Sequence, residues 1–250
     1  MTPIVKLLRL MDGEKPAMGK VYDRMFMIGV GIEKSSVSWK AKAAKIHSDR
    51  WEYLHSEMHA AGYALDPEFM EMATDVDEAT QSGLSAVIEK ICLRDDMEAA
   101  ANAEAADALT IESDKVQERI GKTMLELATY QQREGIFTKL YVMKHAKTMA
   151  PATWWAQYGK HIKFIASVAR RVLAQPVCAS AAERNWSVYG AIKTTARVKM
   201  GHAVADKLVY CHEALHIQSK LQTASYNKQT VEKWDSDSDS DESDEEDLKV

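Results

Sequence analysis

The sequence predicts an all-α fold, or nearly so, and three observations carry the prediction. Apolar residues recur at three- and four-residue spacing in several segments, the period of a helix with one buried face. No sustained alternation of β-branched and polar residues between turn residues occurs, so strand signals are almost absent. Helix breakers fall where the periodic segments stop, as at Gly135 and Pro176, which is where they terminate helices.

Taken in chain order, Asp95 to Asp107 is Ala-rich and acidic and reads as a solvated helix or a flexible connection. Val116, Ile120, Met124, Leu127 and Ala128 place one apolar face on the next helix, with Gly135 where a C-terminal cap is expected. Ile165, Val168, Ala169, Val172 and Leu173 repeat the pattern before Pro176, which cannot continue a helix. Ser180 followed by Glu183 has the spacing of a capping box, and a carboxylate in a first turn also suits the helix dipole. A last stripe comprises Val204, Leu208, Cys211, Leu215 and Gln218. The run from Asp235 to Asp247, DSDSDSDESDEED, holds nine acidic residues and four serines. It cannot form a core and is expected to be disordered.

With 46% hydrophobic and 28% charged residues, the chain reads as globular, and no apolar run approaches the length of a membrane span. The opening MTPIVKLLRLMDGEK is interrupted by Lys6, Arg9 and Asp12, unlike a signal peptide. Three dispersed cysteines, Cys92, Cys178 and Cys211, suit a reducing compartment without a disulfide framework. The net charge of −5 conceals an asymmetry: residues 137 to 220 carry 13 Lys+Arg against 3 Asp+Glu. The flanking segments are acidic, with 24 Asp+Glu against 16 Lys+Arg before it and 10 against 3 after it. A segment this basic attracts polyanions. Arg170, Arg171, Arg184, Arg197 and Lys199, with Lys160, Lys163 and Lys193, are the candidate phosphate contacts, salt-sensitive and largely indifferent to sequence. The opposing reading is a solvated face, or one neutralised by the acidic tail.

Residues 212 to 216 spell HEALH, the H-E-x-x-H pattern in which two histidines one helical turn apart bind zinc and the glutamate acts as base. A third protein ligand is required. No histidine follows this helix, and the upstream ones show no recognised third-ligand spacing. A zinc hydrolase is therefore the remote alternative, and no metal and no cofactor are expected.

The run from Trp154 to Ile217 resembles the C-terminal dimerisation region of the hAT superfamily of DNA transposases. The marks are Trp154-Trp155, the Ala169-Arg170-Arg171-Val172-Leu173 helix, Glu183-Arg184-Asn185-Trp186-Ser187, and Leu208-Val209-Tyr210. Pro16 to Met25 and Arg50 to Phe69 are similar to the helical segment that precedes that region in the same proteins. The resemblance implies a helical remnant of an RNase H-like core and its helical insertion. Residues 1–135 would derive from the insertion, 136–221 would be the dimerisation region, and 222–250 the acidic tail. It also implies that HEALH lies on the family's final helix, which has no zinc site.

In complete transposases of this kind, two Asp and one Glu hold two metal ions for strand cleavage. Glu183 matches that Glu, while the two Asp belong to strands expected N-terminal to everything present. The turn at Thr195-Ala196-Arg197-Val198-Lys199-Met200 departs from the family's usual Arg-Asn-Arg-Met/Leu. The expectation is thus a catalytically incomplete, transposase-derived protein in the nucleus, not an enzyme. Its implied function is dimerisation with itself or with a related full-length transposase-like protein, through Trp154, Trp155, Val168, Val172, Leu173, Trp186, Leu208 and Val209. Tryptophans serve equally as core and as interface centres. The alternative is a DNA-binding regulator using the basic segment, with no membrane partner. Ser236, Ser238, Ser240 and Ser243, each followed by acidic residues, are candidate phosphorylation sites that would deepen the tail's negative charge.

Overall fold

The structure is a computed structural model describing residues 2–13, 16–72, 76–102, 113–194 and 200–222. These residues form eleven α-helices: α1 (Thr2–Asp12), α2 (Met18–Lys34), α3 (Lys40–Leu54), α4 (Glu57–Leu65), α5 (Glu78–Asn102), α6 (Ser113–Gln131), α7 (Leu140–Ala146), α8 (Pro151–Tyr158), α9 (Lys163–Leu173), α10 (Ser180–Ile192) and α11 (His202–Gln222). Short 3₁₀ turns cover Pro67–Met72 and Gly135–Thr138. No strand occurs among the described residues, and the fold is all-α. The acidic stretch from Asp95 is helical as far as Asn102, and residues 103–107 and the tail 235–247 lie outside the described residues. No described helix is long and apolar enough to cross a membrane.

The centre of the molecule is α4, whose sequence EMHAAGYAL is built from small residues. Ala60, Ala61, Gly62, Ala64 and Leu65 are all buried, and α2 and α5 pack closely on them. The approach is too tight for a larger side chain: a Cβ at Gly62 would lie 3.0 Å from the backbone of Met18, and one at Gly83 would lie 2.8 Å from Ala60 Cβ. A charged cluster lies where α4 ends. Asp66 is buried, its Oδ1 accepts the Glu68 N–H at 3.1 Å, and Lys20 Nζ sits 2.9 Å from its Oδ2 while also pairing with Glu68. Burial pushes the Asp66 carboxyl up, and the Lys20 ammonium works against it. Removing Lys20 would strand a buried carboxylate, so the pair fixes how α2 meets α4.

The hydrophobic core is continuous from Met18 to Leu173. It crosses the boundary expected between residues 135 and 136, so the two expected domains share one interior. Trp154 and Trp155 join them. The Trp154 indole N–H donates to the Val142 carbonyl at 3.0 Å, and that of Trp155 donates to the Leu65 carbonyl at 2.8 Å, ninety residues away. Tyr130, Phe137 and Tyr158 surround the two indoles with ring centroids 4.7 to 6.4 Å apart. Buried aromatic clusters of this kind carry large area and edge-to-face attraction together.

One helix end differs from the sequence expectation and another carries an atypical cap. The left-handed cap of α6 is Arg133, at φ 56°, rather than Gly135. The Arg133 N–H donates to the Tyr130 carbonyl and the Glu134 N–H to the Thr129 carbonyl, each at 3.0 Å, which is the Schellman pattern. Gly135, at φ 60°, instead opens the following 3₁₀ turn. At α4, Ser56 precedes the helix in extended backbone and its N–H donates to His59 Nδ1 at 3.1 Å, a capping box with histidine in place of the usual Glu or Gln.

Candidate dimerisation interface

After Pro176 the chain leaves the core and forms a helical hairpin. α10 and α11 pack chiefly on each other. Tyr189 Oη and Lys193 Nζ each lie 2.8 Å from His202 Nδ1, which closes the hairpin where α11 begins. Trp186 meets Tyr189 edge-on at 5.8 Å. The face of α11 turned toward α10 is marked by Ala205, fully buried, and by half-buried Val209 and Glu213. The apolar stripe read from the sequence is elsewhere. Val204, Leu208, Cys211 and Leu215 are exposed, and at about 3.6 residues per turn their centre lies roughly 130° around the helix from the α10 contact. Trp186 is 72% exposed and Leu215 65%.

The eight expected dimerisation residues therefore separate into two sets. Trp154, Trp155, Val168, Val172 and Leu173 are buried within this one chain and have no surface to offer a partner. Their assignment to the interface is corrected: α9 turns its apolar face inward against α4, α6 and α8, and the two indoles fill the core. Trp186 and Leu208 are exposed and Val209 is half-buried against α10.

The α10 start is also corrected. Ala179, not Ser180, occupies the N-cap, without a side-chain cap bond. Ser180 lies inside the first turn, its Oγ 3.1 Å from Cys178 Sγ, so it is not in the extended conformation a capping box requires. Glu183 is exposed in that turn, where the helix dipole favours a carboxylate. A cap that sequence reasoning missed sits at α9: Glu126 Oε2, from α6, accepts the Ile165 N–H at 2.9 Å. No local motif signals it, because the two residues are thirty-nine positions apart.

Among the expected phosphate contacts, Arg170 is exposed on α9. Arg171 is engaged with Asp95 of α5, which also meets Arg119 of α6 at 3.6 Å; it serves first as a link between helices. Arg197 and Lys199 lie outside the described residues, as does the side chain of Arg184. His212 and His216 are exposed with ring centroids 6.3 Å apart. No group of three His, Cys, Asp or Glu side chains suited to a metal occurs among the described residues. A groove of about 400 Å³ between α2 and α3, lined by Tyr22, Met25, Phe26, Val30, His47 and Trp51, is apolar and brings no reactive constellation together.

Residues 126–215 match the family model of the hAT family C-terminal dimerisation region. This segment is similar to the hAT dimerisation region. The hAT match begins at Glu126, the residue that caps α9, and ends at Leu215, on the exposed stripe of α11. It covers less than half of the chain, and Pro16 to Met25 and Arg50 to Phe69 lie outside it. No curated protein and no solved structure matches the chain significantly. The match supports a dimerisation role for a transposase-related protein.

Proposed function

We propose that this chain is a non-catalytic dimerisation module that pairs with a second copy of itself through the outer face of α11, with Trp186 of α10 at its edge. The observation that carries the reading is the direction of the stripe. A helix inside the segment that matches the hAT dimerisation region presents Val204, Leu208 and Leu215 away from α10, its main neighbour among the described residues. An apolar face left in water favours association. Two such faces related by a two-fold axis cover each other, as in most homodimers. The absence of enzymatic activity is part of the same proposal. Glu183 stands in an exposed turn, with no pair of further carboxylates, histidines or cysteines converging on it among the described residues.

Light scattering across a concentration series tests the dimer. The full chain is expected at twice the protomer mass. Leu208→Glu combined with Trp186→Glu is expected at the protomer mass with an unchanged far-ultraviolet spectrum, since neither residue belongs to the core. Loss of interface contacts totalling about 2 kcal/mol weakens a dimer roughly 30-fold. A protomer mass at the highest concentration reached, or a double variant that remains dimeric, defeats the reading.

A further inference from the structure

The hydrophobic face of the hairpin leaves unexplained the distribution of charge in the rest of the matched region. Residues 135 to 182 contain seven Lys+Arg and no Asp or Glu. They fold into the 3₁₀ turn at Gly135–Thr138, α7, α8, α9, their connections and the start of α10, so the deficit of acids becomes a surface property. Two of the seven find carboxylates on earlier helices: Arg171 pairs with Asp95, and Lys147 lies 3.8 Å from Glu71. The other five, Lys139, Lys144, Lys160, Lys163 and Arg170, are exposed and have no carboxylate within 4.0 Å among the described residues. On α9 the arrangement is regular. Lys163 and Arg170, seven positions apart, share the outer face, while Ile165, Ala166, Val168, Ala169, Val172 and Leu173 take the inner one.

The same chain carries the matching charge. Residues 235–247, outside the described residues, hold nine Asp+Glu and no Lys or Arg. They are tethered to the end of α11 at Gln222 by residues 223–234. Twelve residues reach at most about 40 Å when fully extended. α11 turns back along α10 from the His202 end, so Gln222 lies on the side of the start of α10, which residues 174–179 join to α9. Tethering of this kind gives an effective concentration in the millimolar range. Weak individual contacts between opposite charges are then sufficient, provided that salt does not screen them.

We propose that residues 235–247 dock on the basic outer face of α7–α9 of the same chain, with Lys160, Lys163 and Arg170 as their principal contacts, and thereby close that face to other polyanions. The docking does not rest on dimerisation, because the basic face and the stripe of α11 belong to different helices. It assigns to the excess positive charge an internal counterpart and makes access to the face a function of ionic strength.

The test uses the full chain. Zero-length carbodiimide coupling joins carboxylates to amines in contact, and mass spectrometry of an equal mixture of light and heavy isotope-labelled protein separates links within a chain from links between chains. Expected are same-chain links from residues 235–247 to Lys160 and Lys163, lost in 0.5 M salt. A full-length variant with the nine tail Asp and Glu replaced by Asn and Gln is expected to bind a fluorescent DNA duplex at low salt at least ten-fold more tightly than the native chain. Adding Lys160→Glu, Lys163→Glu and Arg170→Glu to that variant should abolish the gain. Links only between chains, links confined to other lysines, or equal DNA affinity of native and tail-neutralised chains would overturn the proposal. The last outcome would make the face a nucleic-acid surface that the tail leaves open. The Trp186→Glu, Leu208→Glu chain, run in parallel, should retain the same-chain links whether or not it is monomeric.

Discussion

Helices α9 and α11 lie in the same matched region and carry apolar stripes of the same kind, yet they meet opposite fates. Ile165, Val168, Ala169, Val172 and Leu173 are buried against α4, α6 and α8, while Val204, Leu208, Cys211 and Leu215 face outward. The difference lies in what surrounds them. α9 is seated by long-range contacts, among them Glu126 at its N-terminus and Arg171 on Asp95. α11 has α10 as its main neighbour and meets it with the small residue Ala205. Periodicity identifies which face of a helix avoids water; it does not identify the molecule that covers that face. The tryptophans repeat the lesson, since Trp155 closes the core and Trp186 stands outside it.

The largest effect that separates the two regions is on folding. Trp155→Ala should cost about 3–5 kcal/mol by emptying a core site, more still with the Leu65 carbonyl left unpaired. That is a large share of the 5–15 kcal/mol that typically holds a fold together. Trp186→Ala should change protomer stability by no more than about 0.5 kcal/mol, as exposed substitutions do. Chemical denaturation of both variants, each carried on the Leu208→Glu background to weaken association, measures the contrast. Comparable losses in the two would mean that the hairpin is part of the core.

The helical class and the apolar faces of α6, α9 and α11 were legible in the residues, because helical period and breakers are local signals. The ERNWS block and its neighbours likewise pointed to the dimerisation region. The sharing of one core across residues 135 and 136 was not legible. It rests on Trp155 reaching the Leu65 carbonyl and on α4 meeting α9, contacts that no window along the chain contains. The α10 cap failed for a different reason. Ser180 and Glu183 have the right spacing, but the helix begins one residue early, and a capping box depends on that single position.

A smaller effect sharpens the account of how α9 is seated. Glu126→Ala should destabilise the protein by about 0.5–2 kcal/mol, the range for loss of a helix N-cap, whereas Glu126→Gln keeps a carbonyl acceptor for the Ile165 N–H and should lose less. Thermal unfolding of the two variants ranks them, and equal losses would assign the effect to packing.

In the body of the protein, α4 provides a contrast in pH. Burial lowers the pKa of His59, and neighbouring His55 lowers it further; the neutral ring is also the form in which Nδ1 accepts the Ser56 N–H. The unfolded chain therefore takes up a proton at His59 before the folded chain does. This contribution to stability is complete above the unfolded value near 6.5, declines as the pH falls below it, and levels off beneath the folded value. His59→Gln retains an acceptor that does not titrate, in the ordinary form of the capping box. Between pH 7 and pH 5 its midpoint of thermal unfolding should fall less steeply than that of the native chain. An identical slope would show that the groups titrating in this window lie elsewhere.

The smallest expected change runs in the stabilising direction. Arg133 holds the left-handed cap of α6 at φ 56°, a conformation that costs an L-residue with a Cβ about 1 kcal/mol and glycine almost nothing. Its side chain is exposed, so little packing opposes its removal. Glycine also enlarges the freedom of the unfolded chain, which returns part of the gain. Arg133→Gly should therefore raise stability by a net amount of about 0.5 kcal/mol, or roughly 1–2 °C in the unfolding midpoint for a chain of this size. Gly135→Ala, at φ 60° with open space around its Cβ position, should move the midpoint the opposite way by a similar amount or more. If both substitutions lowered it, Arg133 would be contributing through its guanidinium rather than merely tolerating its backbone.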